Sequence, residues 1–176
     1  MQHVMIDIET LGKGNYACLL SLGAVKFDPQ LDEVVDKFYV DIDPESCVKH
    51  GLRMDVSTVM WWMKQSDAAR AAITEHERLD LPAALEGFAD WYGSTSLPTW
   101  GNGATFDNVI VRNAYELCAL DCPWTFRDDR CFRTLKNLAP EVPAPQQVGT
   151  SHNALDDAVF QALWMQKIAR ALGILL

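Results

Sequence analysis

The sequence lacks any uncharged apolar run long enough to cross a membrane; its longest stretches without charge are broken by Gly, Ser, Pro or Asn. The opening Met1-Gln2-His3-Val4-Met5-Ile6-Asp7 has neither the basic flank nor the apolar core of a secretory leader, so the expected location is cytoplasmic. Cysteine is scarce and unpatterned. The five residues Cys18, Cys47, Cys118, Cys122 and Cys131 form no C-x-x-C pair, which argues against a disulfide framework. Cys118 and Cys122 could share a helix face, but no histidine follows at zinc-finger spacing, so buried thiols are expected. Basic charge is also short. Twenty-four acids against fifteen bases leave a net −9, which excludes a long electrostatic track along a duplex. It does not exclude an enzyme that grips a strand end through metal ions. Internal repeats, heptads and low-complexity tracts are missing.

What is present fits one domain over residues 1–176. The 49% apolar content is ordinary for a globular chain, and a chain of this length buries roughly 70% of its unfolded surface. Alternation predicts strands over Val4–Glu9, 17–27 and Lys37–Ile42, joined by connections short enough for an antiparallel meander. Helical spacing follows. Asp55 can cap a segment to about Gln65, with Val56, Val59, Met60 and Met63 as its core stripe, and Asp67 can cap another. Leu81-Pro82 opens an amphipathic helix with Ala84, Leu85, Phe88, Ala89 and Tyr92 near one face, stopped at Gly93. A short strand over Leu97–Trp100, a helix over Thr105–Leu120, a strand within 124–132, a helix over 133–138 and a last helix over Asn153–Leu172 complete the order. The class is α/β, a mixed five-stranded sheet flanked by helices.

Three blocks concentrate chemistry. Asp7 and Glu9 share one face of the first strand, because side chains alternate with period two, while Ile6 and Ile8 take the other. That pairing reads equally as a solvated edge or as a ligand pair. In Asn102-Gly103-Ala104-Thr105-Phe106-Asp107, Thr105 serves as N-cap and Asp107 falls in the first helical turn. There the helix dipole alone gives an acid ~0.3–1 kcal/mol of stabilisation. In His152-Asn153-Ala154-Leu155-Asp156-Asp157-Ala158, Asn153 is a good N-cap with Asp156 at N3. His152 then precedes the helix, and Asp157 is left without a structural task.

Together the blocks resemble the DEDDh (DnaQ-like) 3′→5′ exonuclease superfamily, whose motifs read D-x-E-T, N-x-x-x-F-D and H-x-A-x-x-D-A. They stand here as Asp7-Ile8-Glu9-Thr10, Asn102 to Asp107 and His152 to Ala158, in matching order and separation. The segment Thr58-Val59-Met60-Trp61-Trp62-Met63-Lys64-Gln65-Ser66 is similar to the RNase AS-like branch, which includes phage exonuclease A.

The resemblance implies a ribonuclease H-like fold and a 3′→5′ exonuclease releasing nucleoside 5′-monophosphates from DNA or RNA ends. Asp7, Glu9, Asp107 and Asp157 would hold two Mg2+ ions, with Mn2+ as substitute, and His152 would be the general base. Elementary electrostatics agrees that such a cluster needs cations, since two carboxylates ~5 Å apart repel by roughly 3 kcal/mol at an effective dielectric near 20. Oxygen donors favour magnesium. Thr10 and Leu11 would lie beside the terminal nucleotide. Phe106 reads either as a stacking partner for a base or as a core aromatic. Trp61 reads as a contact to ligand, partner chain or a second element of the fold. Arg127, Arg130, Arg133 and Lys136 reach a phosphate backbone or form a solvated face. The expected partner is an unpaired nucleic-acid 3′ end, with a homodimer compatible. The competing class is an inactive nucleic-acid-binding or adaptor module on the same fold. A degenerate copy would lack one of the five site residues, and all five are filled.

Overall fold

A computed structural model describes residues 1–67, 70–71, 77–147, 149 and 152–174. Three strands open it: β1 (His3–Thr10), β2 (Leu19–Phe27) and β3 (Val34–Asp41). They form the expected antiparallel meander. The short β4 (Thr99–Gly101) and β5 (Asp129–Cys131) add in parallel on the far side of β1, giving the order β3-β2-β1-β4-β5. The helices whose bounds lie within the described residues are α1 (Pro44–Lys49), α2 (Val56–Trp62), α3 (Leu81–Tyr92), α4 (Asp107–Leu117), α5 (Phe132–Leu138) and α6 (Ala154–Leu172). No helix among the described residues is long and apolar enough to cross a membrane.

Strand periodicity sorts β1 between two apolar layers. Val4, Ile6 and Ile8 pack with Leu85 and Phe88 of α3 and with Ile110, Ala114 and Tyr115 of α4. Met5, on the opposite face, packs with Val25, Phe27 and the α6 residues Ala158, Ala162, Met165 and Ile168. The α3 helix follows its sequence pattern, burying Leu81, Ala84, Leu85, Phe88 and Tyr92, and Asp80 caps it through the Ala83 N–H. Each fully buried large apolar side chain contributes roughly 1.5–3 kcal/mol.

Several local expectations are corrected. The α1 helix was not anticipated, although Asp43 accepts from the Glu45 and Ser46 N–H groups and Pro44 occupies the first turn, which together nucleate it. In α2 the supposed core stripe faces outward, with Val56, Met60 and Met63 at 79%, 48% and 61% exposure. The buried positions are Thr58 and Trp62. Trp62 decides the rotation of this short helix, since its indole N–H donates to the Thr10 carbonyl (2.9 Å) and its ring packs with Leu11 and Leu20. The Asp55 side chain does not cap α2; its Oδ2 accepts from the Lys13 N–H instead. A helix started by Asp67 runs into residues outside those described. Phe106, not Thr105, occupies the cap position of α4. The fifth strand falls within its expected span as Asp129–Cys131, and Trp124 before it packs into the core and donates to Asp129 Oδ1 (2.8 Å). Cys18 and Cys47 are buried thiols, while Cys118, Cys122 and Cys131 are half-buried.

One close approach places α6. Gly23 of β2 pairs with Asp7 across the sheet, and a Cβ at Gly23 would stand 2.3 Å from the Ala154 carbonyl carbon and the Leu155 nitrogen. Only a residue without a side chain lets the start of α6 rest there. Gly23→Ala is therefore expected to cost about 3 kcal/mol in urea denaturation, by overpacking against backbone. Gly87→Ala in α3, where no atom lies within 4 Å of the added carbon, is expected to be stabilising by about 0.5–1 kcal/mol. Equal stability of the two variants would contradict this account of the helix seat.

Candidate active site

The cleft is built where the parallel strands end. Asp7 and Glu9 follow Met5 on the β1 face turned toward α6, so the strand's alternation aims both acids at that helix. At the end of β4, a Cβ on Gly101 would sit 2.9 Å from Asp107 Cβ and 2.5 Å from Asn108 Oδ1. The missing side chain lets the first turn of α4 press onto the strand, and Asn108 locks it there by donating to the Thr99 carbonyl (2.8 Å) and Asp129 Oδ1 (3.0 Å). Asp107 is thereby buried at the helix N-terminus. On the other side, Asn153 caps α6 by accepting from the Leu155 and Asp156 N–H groups, which puts Asp157 in the first turn. His152 lies just before the cap in the left-handed region (φ 66°), and its backbone N–H donates to Asp157 Oδ2 (3.1 Å), fixing the turn.

These five residues line one cleft of about 350 Å³ with Arg133, Lys136, Gln147 and Gln161. Glu9, His152 and Asp157 each offer a ligand atom within 4.8 Å of the others. Among the described residues, none of the four carboxylates is ion-paired with a lysine or arginine. Burial, reinforced by Asp107, Glu9 and Asp157, holds the Asp7 carboxyl well above the usual carboxylate range. Burial with Asp157 and Asp107 nearby pushes Glu9 up to about 8. Burial raises Asp107 to about 7, restrained by backbone N–H donors and the Arg133 guanidinium. Asp157 is raised by burial too, against the opposing His152 N–H. Burial thus makes all four acids harder to ionise, with the neighbouring carboxylates adding to it at Asp7 and Glu9, and the donor set (four carboxylates beside an imidazole) fits hard divalent cations.

A second cleft of about 470 Å³ adjoins the first and shares Ile8, Glu9 and Phe106 with it; Thr10, Lys13, Thr58, Trp61 and Trp62 complete its walls. Phe106 is half-buried, packed on the core while lining both clefts. Thr10 is buried, with its hydroxyl donating to the Gly12 carbonyl (2.7 Å). Leu11 lines neither cleft; it packs against Leu20 and Trp62. Trp61 lines the second cleft, with its ring T-shaped to His152 at 5.3 Å between centroids, while 43% of the residue stays exposed. Trp62 touches His152 as well, at 6.1 Å. The basic group divides. Arg133 and Lys136 reach the first cleft, whereas Arg127 stacks on exposed Phe126 and Arg130 turns back to the Arg127 carbonyl. Sequence reasoning missed Gln161, whose Nε2 donates to Asp7 Oδ1 (2.7 Å), and Gln147, which donates to Asp157 Oδ1 (3.0 Å). The available signal for Gln161 was a polar side chain one turn after Asp157, between alanines on a buried helix face.

Known proteins agree with this architecture. The chain is 29% identical over 120 residues to an exodeoxyribonuclease of Enterobacteria phage T4, an alignment covering 61% of this chain and 52% of that protein. The zinc-bound E. coli ExoI–ssDNA complex superposes with a TM-score of 0.66 at 16% identity, covering 97% of this chain and 40% of that one. The nuclease domain of 3′hExo, a DEDDh family member bound to rAMP, superposes at 0.64 with 13% identity, covering 97% and 92%. The chain thus spans about half the length of the phage relative and about two fifths of the exonuclease I chain. The ribonuclease H-like fold is shared with both of these solved structures. Residues 2–169 match the family described as the 3′-5′ exoribonuclease Rv2179c-like domain, and the chain belongs to that family.

Proposed function

We propose that the chain is a divalent-metal-dependent 3′→5′ exonuclease releasing nucleoside 5′-monophosphates from unpaired nucleic-acid ends. The observation that carries this reading is the convergence of Asp7, Glu9, Asp107, Asp157 and His152, drawn from three distant segments, into one cleft. Asp7 would be shared by two cations, Glu9 and Asp157 serving the first and Asp107 the second. Bound there, Mg2+ or Mn2+ supplies Lewis-acid polarisation of the phosphodiester and neutralises charge on the attacking and departing oxygens.

The chain's own groups do the rest. His152 takes the proton from the attacking water as its oxygen bonds to phosphorus and the bond from phosphorus to the 3′ oxygen breaks. Trp61 and Trp62 hold the imidazole from its edges. Arg133 and Lys136 place positive charge on the wall facing the acids, where a substrate phosphate enters. Phe106 and Trp61, both lining the second cleft, offer ring surface to the terminal base, with Thr10 beside it; base stacking of this kind is worth about 1–3 kcal/mol. Leu11 acts from behind, through its packing on Trp62.

Support for an unpaired end comes from the exonuclease I complexes with dT13 and dA16 oligonucleotides. The family description names RNA and the phage relative DNA, so the proposal covers both polymers. With few basic residues available for phosphates, salt dependence should be shallow.

Two outcomes test this. Wild-type protein should shorten 5′-labelled single strands from their 3′ ends in Mg2+, with the DNA and RNA arms of one panel separating the polymers. Asp7→Ala and Asp107→Ala, folded by circular dichroism, should lose about three orders of magnitude in rate. Undiminished cleavage in both would end the proposal.

The second outcome follows from the buried acids. Glu9 is raised from an ordinary 4.5 to about 8, and Asp107 from 3.8 to about 7. The folded state therefore binds protons that the unfolded state has released, and this contribution is full below about pH 4 and lost as pH climbs through 7 to 8. Metal-free protein should melt several degrees lower at pH 8.5 than at pH 5.5, and Mg2+ should restore Tm most at the higher pH. A Tm that rises with pH in chelator would contradict this charge picture.

A further inference from the structure

Gln161 is buried at 5% exposure on α6, four residues after Asp157, so one helix face carries both an acid of the cleft and this amide. Its Nε2 donates to Asp7 Oδ1 at 2.7 Å, joining residues 154 positions apart. The other end of the amide, Oε1, is buried without a partner, so Asp7 is what orients the group. The contrast with Gln166 on the same helix is instructive. Gln166 is fully buried as well, but it donates to the backbone carbonyls of Asp28 and Glu33 and ties down the β2–β3 turn. Gln161 instead donates its hydrogen bond to a carboxylate that three other acids repel.

We infer that Gln161 is a positioning residue for Asp7: its amide fixes the rotamer of that carboxylate and turns the remaining oxygen toward the cleft, and so sets the divalent-metal affinity of the site. The inference rests on the metal-dependent reading above. Asp7 sits on a strand and cannot be steered by its own backbone hydrogen bonds. An acid among acids would otherwise rotate away from its neighbours. Hydrogen-bonded supports of ligating carboxylates commonly govern metal affinity by 10–100-fold. The supporting amide comes from α6, so the seat of that helix over Gly23 is coupled to the ligand set.

The test is calorimetric titration of the whole chain with Mn2+. Gln161→Met keeps the volume and removes the donor; Gln161→Asn keeps an amide that is one methylene too short to reach Asp7. Both should bind Mn2+ at least ~10-fold more weakly, with the Tm of the metal-free protein unchanged or raised. In turnover, kcat at fixed subsaturating metal should fall while KM for the oligonucleotide stays put, a split that mere packing damage would not produce. Wild-type Mn2+ affinity in either folded variant would overturn the inference and leave the metal reading standing. A wild-type chain that takes up no Mn2+ would remove both.

Discussion

Mutual repulsion among four partly desolvated carboxylates is the constraint around which this structure is arranged. Burial raises the proton affinity of Asp7, Glu9, Asp107 and Asp157, the neighbouring acids raise it further at Asp7 and Glu9, and no lysine or arginine among the described residues forms an ion pair with them. A fold organised for stability alone would not gather them. Their assembly has to be held by structure elsewhere, and the rest of the molecule can be understood as that support. The two apolar layers fix β1 between α3–α4 and α6. Gly23 and Gly101 remove the side chains that would keep the two acid-bearing helices away from the sheet. Under the proposed function, the stability given up at the cleft would be regained when divalent cations enter it, which would couple folding to metal uptake.

The same constraint explains how a chain of net charge −9 can handle a polyanion. Repulsion at long range is confined by screening to about 8–10 Å in physiological salt. Close in, Arg133 and Lys136 line the same cleft as the acids, and under the proposed function cations held there would reverse the local sign. Recognition would then fall to a few contacts near the strand end, with aromatic surface beside them, rather than to an extended basic face. The packing of Trp61 and Trp62 on His152 links that aromatic cleft to the one the acids line.

Much of this was legible from residue spacing. Period two put Asp7 and Glu9 on one face, Leu81-Pro82 marks the start of α3 and Asn153 the cap of α6, and the three motif blocks stand in family order. Where reading failed, a single side chain had outvoted a pattern. The stripe of Val56, Val59, Met60 and Met63 outnumbers Trp62, but the Trp62 indole needs a buried acceptor and finds it in the Thr10 carbonyl. A seven-residue helix has too little surface for its own periodicity to decide which side faces inward.

The sequence by itself determined the kinds of atoms available, four carboxylates, an imidazole and two aromatic neighbours, and the local elements that carry them. Those follow from alternation, capping and motif spacing, which act over a few residues. Only the tertiary structure decided that Gln161 reaches Asp7 across 154 positions, that Gln147 meets Asp157, and that Arg133 and Lys136 reach the cleft while Arg127 and Arg130 do not. Such contacts depend on how closely a helix can approach a sheet, and that distance is set by side chains absent at Gly23 and Gly101 rather than by any residue in the motifs.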